Sequence, residues 1–226
     1  MSAAPSGEKK TFWDVPMVPP DGAWREKRRL ASALRALSAL CVTTDAPETT
    51  LQEAADAVER LVERVSQHPT RTFQQGIGSC ATPDDFARFA DRSTLTGLSN
   101  PVSPPMELGM EGEIAIGSVT FGSPFEGIPG HVHGGLVAAA FDQVFGYLQV
   151  KRGMGALTRV LTVRYRHPTP LLTPLRVEAR GVRIEGRVFH VAARMLAGQT
   201  LCAEAEGEFV ALDPKRLQEI IAGKQA

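Results

Sequence analysis

Cysteine is scarce in this chain: 226 residues hold three, Cys41, Cys80 and Cys202, odd in number and far apart. That scarcity argues against a disulfide-stapled domain, and without short paired spacings it argues equally against a zinc or dithiol centre. The thiols read as reduced. No stretch approaches the roughly 20 apolar residues that a membrane span needs, and the first twenty residues carry Glu8, Lys9, Lys10 and four prolines where a secretory signal would have an apolar core. A cytoplasmic protein with no stable membrane insertion is expected. Charge of one sign is lacking too. The 25 basic residues balance 25 acidic ones, and residues 1–106 hold 12 against 13. Neither half is a basic arm or an acidic tail, so no nucleic-acid partner is expected. Gly76-Ile77-Gly78 lacks a third glycine, no phosphate-binding lysine motif occurs, and there is no Gly-x-Ser-x-Gly elbow. His68, His167 and His190 have no metal-ligand spacing, so neither a metal nor a cofactor is expected.

What is present divides the chain in four: a mobile tail over 1–22, a helical extension over 23–96, a main domain over 97–214 and a short tail over 215–226. In the extension, Leu30, Leu34, Leu37 and Cys41 recur at helical spacing between Trp24 and Val42. This predicts an amphipathic helix packed on the domain, although Arg25, Lys27, Arg28 and Arg29 sit at the end of the helix dipole that disfavours cations. A second helix is predicted from a Thr50/Glu53 capping box and the stripe Leu51, Ala54, Val58, Leu61, Val62 and Val65, ending before Pro69. A short helical patch lies around Phe86 to Ala90.

The main domain begins with a strand over Glu113 to Phe121. Gly134 to Val150 follows, a helix apolar on nearly every face, which must be buried. Four strands come next. Leu161, Val163 and Tyr165 alternate with polar residues, as do Leu175 to Ile184 and Leu201 to Phe209, and Val188 to Leu196 is the remaining strand. Glu185-Gly186 is the expected hairpin turn between the second and third of these. Strand, buried helix and four strands in antiparallel succession make an α+β domain, an antiparallel sheet laid on its one greasy helix.

Inside that helix stands a single ionisable residue, Asp142, between Phe141 and the Val144-Phe145 pair. An unpaired buried carboxylate costs several kcal/mol, about 3–5 when a partner is removed, so it needs a partner or a use. In an apolar cleft a carboxylate is a stronger base or nucleophile. The helix opens at Gly130-His131-Val132-His133-Gly134-Gly135, where glycines admit close approach and first-turn amides at the positive end of the dipole lack partners. Such amides can hold a carbonyl oxygen as it becomes negative. Gly134 and Asp142 are eight residues apart, roughly 12 Å along a helix at about 1.5 Å per residue, too far for one carbonyl to touch both. Two helices antiparallel across a two-fold axis solve this, each tip lying beside the other's aspartate.

The run His133-Gly134-Gly135, then Asp142 and Gly146, with Asn100-Pro101 and Pro104-Pro105 upstream and the strand Thr158 to Pro168 downstream, resembles hotdog-fold thioesterases of the phenylacetate-degradation (PaaI-like) type over residues 97–212. The resemblance implies a helix wrapped by an antiparallel sheet, a homodimer or dimer of dimers, and hydrolysis of acyl-CoA to free acid and CoA. It assigns Asp142 as base or nucleophile, Gly134 as oxyanion amide, and His133 as the neighbour that positions the carbonyl, with Gly135 and Asn100 at the substrate. Thr158 matches a family position that orients the attacking water, although threonine is also an ordinary strand residue. For the CoA phosphates, residues 151–187 hold nine Lys and Arg against two Glu, and Arg164, Arg166 and Arg187 are the candidates. A hotdog dehydratase or hydratase using His131 or His133, and a non-catalytic acyl-CoA-binding protein, are the alternatives. CoA and carrier-protein thioesters are not distinguished.

Overall fold

The computed structural model describes residues 22–70, 87, 88 and 90–213. Cys80, Gly76-Ile77-Gly78, Phe86, Phe89 and nearly all of the two expected tails lie outside the described residues. Helix α1 spans Ala23–Thr43, α2 spans Glu48–Ser66 and α3 spans Gly134–Lys151. Six strands, β1 (Glu107–Glu111), β2 (Ile114–Val119), β3 (Ala156–Tyr165), β4 (Leu175–Glu185), β5 (Val188–Ala197) and β6 (Thr200–Ala211), form one antiparallel sheet in the order β1-β2-β4-β5-β6-β3.

Helix α3 lies on that sheet because its inward residues are large and apolar. Val144, Phe145, Phe141 and Leu148 are fully buried, and the Phe145 and Phe209 rings meet edge-on at 5.8 Å. Each such side chain contributes about 1.5–3 kcal/mol on burial. Helix and sheet approach closely at Gly117, where a Cβ would come within 2.6 Å of the Val144 side chain. The sheet's inner face repeats the predicted alternation: Leu175, Val177 and Ala179 in β4, and Ala203, Ala205 and Phe209 in β6, are buried.

Three expectations of local structure are corrected. The four strands after the helix are not paired in succession: β4, β5 and β6 form a meander, while β3 skips β4 and pairs with β6, leaving its other side as a sheet edge. The hairpin turn is Gly186-Arg187, one residue later than expected, because Glu185 already pairs with Val188 and Gly186 takes the positive φ of 59° that a tight primed turn requires. Strand β1 falls in a stretch whose glycines and prolines read as a boundary. Only Leu108 and Met110 mark it, and both pack on the core.

The extension contains both predicted helices, but Leu30, Leu37 and Cys41 of the stripe expected to pack α1 are exposed, and α1 buries Trp24, Arg28 and Ala31 instead. At the start of α1, Arg28 bonds Asp91 through Nε at 2.9 Å and Nη2 at 3.1 Å, and Trp24 Nε1 donates to the same carboxylate at 2.7 Å. Asp91 also accepts from the Leu98 amide and the Ser99 hydroxyl, so a buried carboxylate ties α1 to the segment leading into β1. This ion pair outweighs the unfavourable dipole at that end of α1. The Thr50/Glu53 capping box does not form. Helix α2 starts earlier, after Pro47, whose preset φ of −59° and absent N–H suit a helix start, and no side chain caps it. Its stripe is helical as expected, yet α2 buries no residue, and Leu51, Val62 and Val65 are exposed.

Candidate active site at the helix tip and edge strand

The tip of α3 is built by hydrogen bonds to loop backbone. The His133 amide donates to the Phe125 carbonyl at 3.0 Å, and the Val132 amide to that of Thr169 at 2.9 Å. His133 itself, at φ −58° and ψ 130°, is the N-cap, its Nδ1 accepting from the Gly135 amide at 3.1 Å. The His133 carbonyl accepts from the amides of Leu136 and Val137. Among the described residues none accepts from the Gly134 amide, which faces an open cleft of about 510 Å³. His131, His133, Gly134, Tyr165, Arg166 and His167 line this cleft with apolar neighbours; Asp142 does not.

Asp142 is half-buried and faces away from the phenylalanine core. The outward side of α3 carries small residues around it, Gly135, Ala138, Ala139 and Gly146, all partly or fully exposed in one chain. The helix is therefore not buried all round as its composition suggested; its second side is apolar, small and uncovered. Thr158 Oγ1 donates to Asp142 Oδ1 at 2.8 Å, and no described residue donates to Oδ2.

A bulge puts Thr158 there. Along β3 the residues Tyr165, Val163 and Leu161 face the helix, and unbroken alternation would bring in Arg159 next. The register against β6 shifts between Thr158 and Val160, so one extra residue flips the parity and turns Thr158 and Ala156 toward α3.

Of the other residues expected from the sequence, Arg166 lines the cleft and pairs with Glu204 at 2.8 Å. Arg164 pairs with Glu206 at 3.2 Å, and Arg187 donates to the Ala211 carbonyl. Glu111, Glu113 and Glu208 similarly face Arg176, Arg152 and Arg159, so the stretch that is basic in sequence is met by acids from β1, the β1–β2 turn and β6. Between Arg176 and Arg194, Glu178 accepts from both guanidiniums, which holds its carboxyl below the usual range. Asn100 organises a turn: Nδ2 donates to the carbonyls of Arg92 and Ser93, and Oδ1 accepts from the Val102 amide. Cys41 is exposed, and burial pushes the Cys202 thiol up. Among the described residues no three His, Cys, Asp or Glu side chains cluster as a metal site would require, and no helix is long and apolar enough to cross a membrane.

One residue at the tip was missed. Tyr165 reads in sequence as an inward strand residue, and its hydroxyl donates to the Gly134 carbonyl at 2.8 Å. Alternation gave its side but not its partner.

A six-stranded antiparallel sheet carrying one central helix is the architecture of the hotdog fold. Residues 129–204 match the thioesterase superfamily model, so this stretch of the chain is a domain of the hotdog-fold thioesterase type. The chain is 35% identical over 153 residues to the acyl-coenzyme A thioesterase THEM4 of Mus musculus, covering 67% of this chain and 56% of that one. To the protein of the same name from Rattus norvegicus it is 33% identical over 97 residues, with 42% of each covered. It thus spans about half the length of these curated relatives. A crystal structure of a thioesterase superfamily protein superposes with a TM-score of 0.70 at 27% identity, covering 85% of this chain and 97% of the other.

Proposed function

We propose that the protein hydrolyses acyl-CoA thioesters to the free acid and CoA at two identical sites formed between the chains of a homodimer. The observation that carries this is the arrangement on α3: an amide at Gly134 with no acceptor among the described residues, a half-buried carboxylate held by Thr158 eight residues on, and a small-residue face between them that the described residues leave uncovered. Beside that face runs β3, a ten-residue edge strand with no buried residue, in which Leu157 and Val160 are exposed. An unpaired edge next to an apolar helix face is a surface for a second copy. Antiparallel pairing there sets the Gly134 tip of each chain beside the other's Asp142.

The thioester carbonyl then accepts from the Gly134 amide at the positive end of the helix, where charge developing on oxygen is stabilised. In one route Asp142 takes a proton from water as the water attacks the carbonyl carbon, the C–S bond breaks, and the CoA thiolate leaves and takes up that proton, the acid keeping the oxygen of water. In the other the Asp142 carboxylate attacks that carbon and the thiolate leaves to give a mixed anhydride, which water then hydrolyses to the acid and the free carboxylate, the proton released passing to the thiolate. Thr158 fixes the rotamer of Asp142 so that Oδ2 faces the reacting group. Arg166, at the cleft, is placed for the CoA phosphates and exchanges Glu204 for them. The acyl-CoA class agrees with the names of the curated relatives.

Replacement of Asp142 by Asn tests this. Release of free thiol from acetyl-, octanoyl-, palmitoyl- and phenylacetyl-CoA should fall by about 10² to 10⁴ on the best substrate, with the thermal midpoint unchanged. Full activity in the variant, an unsaturated or hydrated thioester as product, or no turnover of any thioester by the parent would refute it.

A further inference from the structure

We infer that Tyr165 is a positioning residue that sets the direction of the Gly134 amide, an inference resting on the oxyanion reading above. Two consecutive glycines at a helix tip carry no Cβ to restrict their backbone, so a donor placed there has no fixed aim of its own. The structure fixes it from outside. The peptide unit joining Gly134 to Gly135 is held at both ends, its carbonyl oxygen by the Tyr165 hydroxyl at 2.8 Å and its N–H by His133 Nδ1 at 3.1 Å. In the preceding unit, the His133 carbonyl is held by Leu136 and Val137 while the Gly134 N–H has no acceptor among the described residues. Two peptide planes are thus clamped at three of their four polar atoms, and the one left open is the donor facing the cleft.

Tyr165 also accounts for the glycine. A Cβ on residue 134 would lie 3.3 Å from the Tyr165 hydroxyl and 3.4 Å from the ring carbon bearing it, so ring and glycine fit face to face. Within one chain this tyrosine packs little: it is 54% exposed, at the end of the edge strand. An exposed aromatic whose hydroxyl reaches back to a helix-tip carbonyl contributes little to the core but much to the orientation of the tip. A small displacement of an oxyanion donor is costly in rate, because the hydrogen bond must strengthen as the carbonyl oxygen becomes negative.

The test is Tyr165→Phe, which keeps the ring and removes one hydrogen bond, assayed by thiol release with octanoyl-CoA beside Gly134→Pro, which removes the amide proton, and the double variant. With Tyr165→Phe, kcat should fall about tenfold, the scale of one directed hydrogen bond, with KM within about twofold and the thermal midpoint unmoved. In the Gly134→Pro background the same change should cost nothing further, because the group through which the hydroxyl acts is gone. An equal tenfold loss in both backgrounds, a rise in KM at constant kcat, or unchanged kinetics would overturn the positioning role. If Gly134→Pro is itself fully active, the oxyanion reading fails instead, and the two failures are distinct. The amide proton and nitrogen shifts of Gly134, followed by NMR, should move in Tyr165→Phe while those of Leu148 in the same helix stay in place.

Discussion

Gly134 and Asp142 lie roughly 12 Å apart along one helix, so a site using both must draw them from different chains, and two inactive variants should restore each other. Gly134→Pro is suited to the first half of the test. Residue 134 is the first helical position, where proline is best tolerated, and His133 already has the extended backbone, φ −58° and ψ 130°, that a following proline demands. No hydrogen bond to a described residue is lost with that N–H, and a Cβ at this position meets the far end of the Tyr165 side chain, which must yield a few tenths of an ångström. Loss of one oxyanion donor costs about 10² to 10³ in kcat, or roughly 3–4 kcal/mol, so this variant, like Asp142→Asn, should retain about 1% of activity or less. Co-expressed in equal amounts with different affinity tags, the two chains should give about half mixed dimers. Each mixed dimer has one site with both groups and one with neither, so the pool should recover about a quarter of wild-type thiol release, and doubly purified mixed dimers about half. Activity no higher than that of the parents, in a pool where mixed dimers are demonstrated, would refute the composite site.

Two further outcomes are expected. Thr158→Val, which keeps the shape but removes the donor to Asp142, should lower kcat about tenfold, the scale of one directed hydrogen bond, while Thr158→Ser retains most of the activity; equal loss in both would point to the methyl group and not the hydroxyl. Asp91→Ala leaves Arg28 buried without its carboxylate, a loss of about 3–5 kcal/mol. The thermal midpoint should drop on the order of 10 °C, and α1 should become sensitive to limited proteolysis, with fragments mapped by mass spectrometry.

The elements of the main domain were legible because each has a period of its own. The run from Gly134 has helix formers and no proline, and α3 occupies it to within a residue. Strands β5 and β6 follow apolar alternation in the same way, and β4 does so from Leu175 to Ala179, after which a register shift at Gly181 leaves Val182 and Ile184 exposed. The candidate groups were visible as well: an acid in an apolar helix, a glycine tip, and a spacing that one chain cannot bridge. The Arg-rich stretch after the helix is less basic in space than in sequence, because charge counted along the chain omits acids from distant strands, and Glu111, Glu204, Glu206 and Glu208 arrive only when β1 and β6 are in place.

Local sequence thus determined the helix and which residues of most strands face it, since backbone periodicity and side-chain polarity act within a few residues. Tertiary structure alone decided that β3 would be an edge, that a one-residue bulge would aim Thr158 and not Arg159 at Asp142, that Tyr165 would reach the Gly134 carbonyl, and that Arg28 would find Asp91. Those outcomes depend on hydrogen-bond register and packing between segments tens of residues apart, and a shift of a single residue, invisible in the alternation of a strand, reverses which side chain meets the helix.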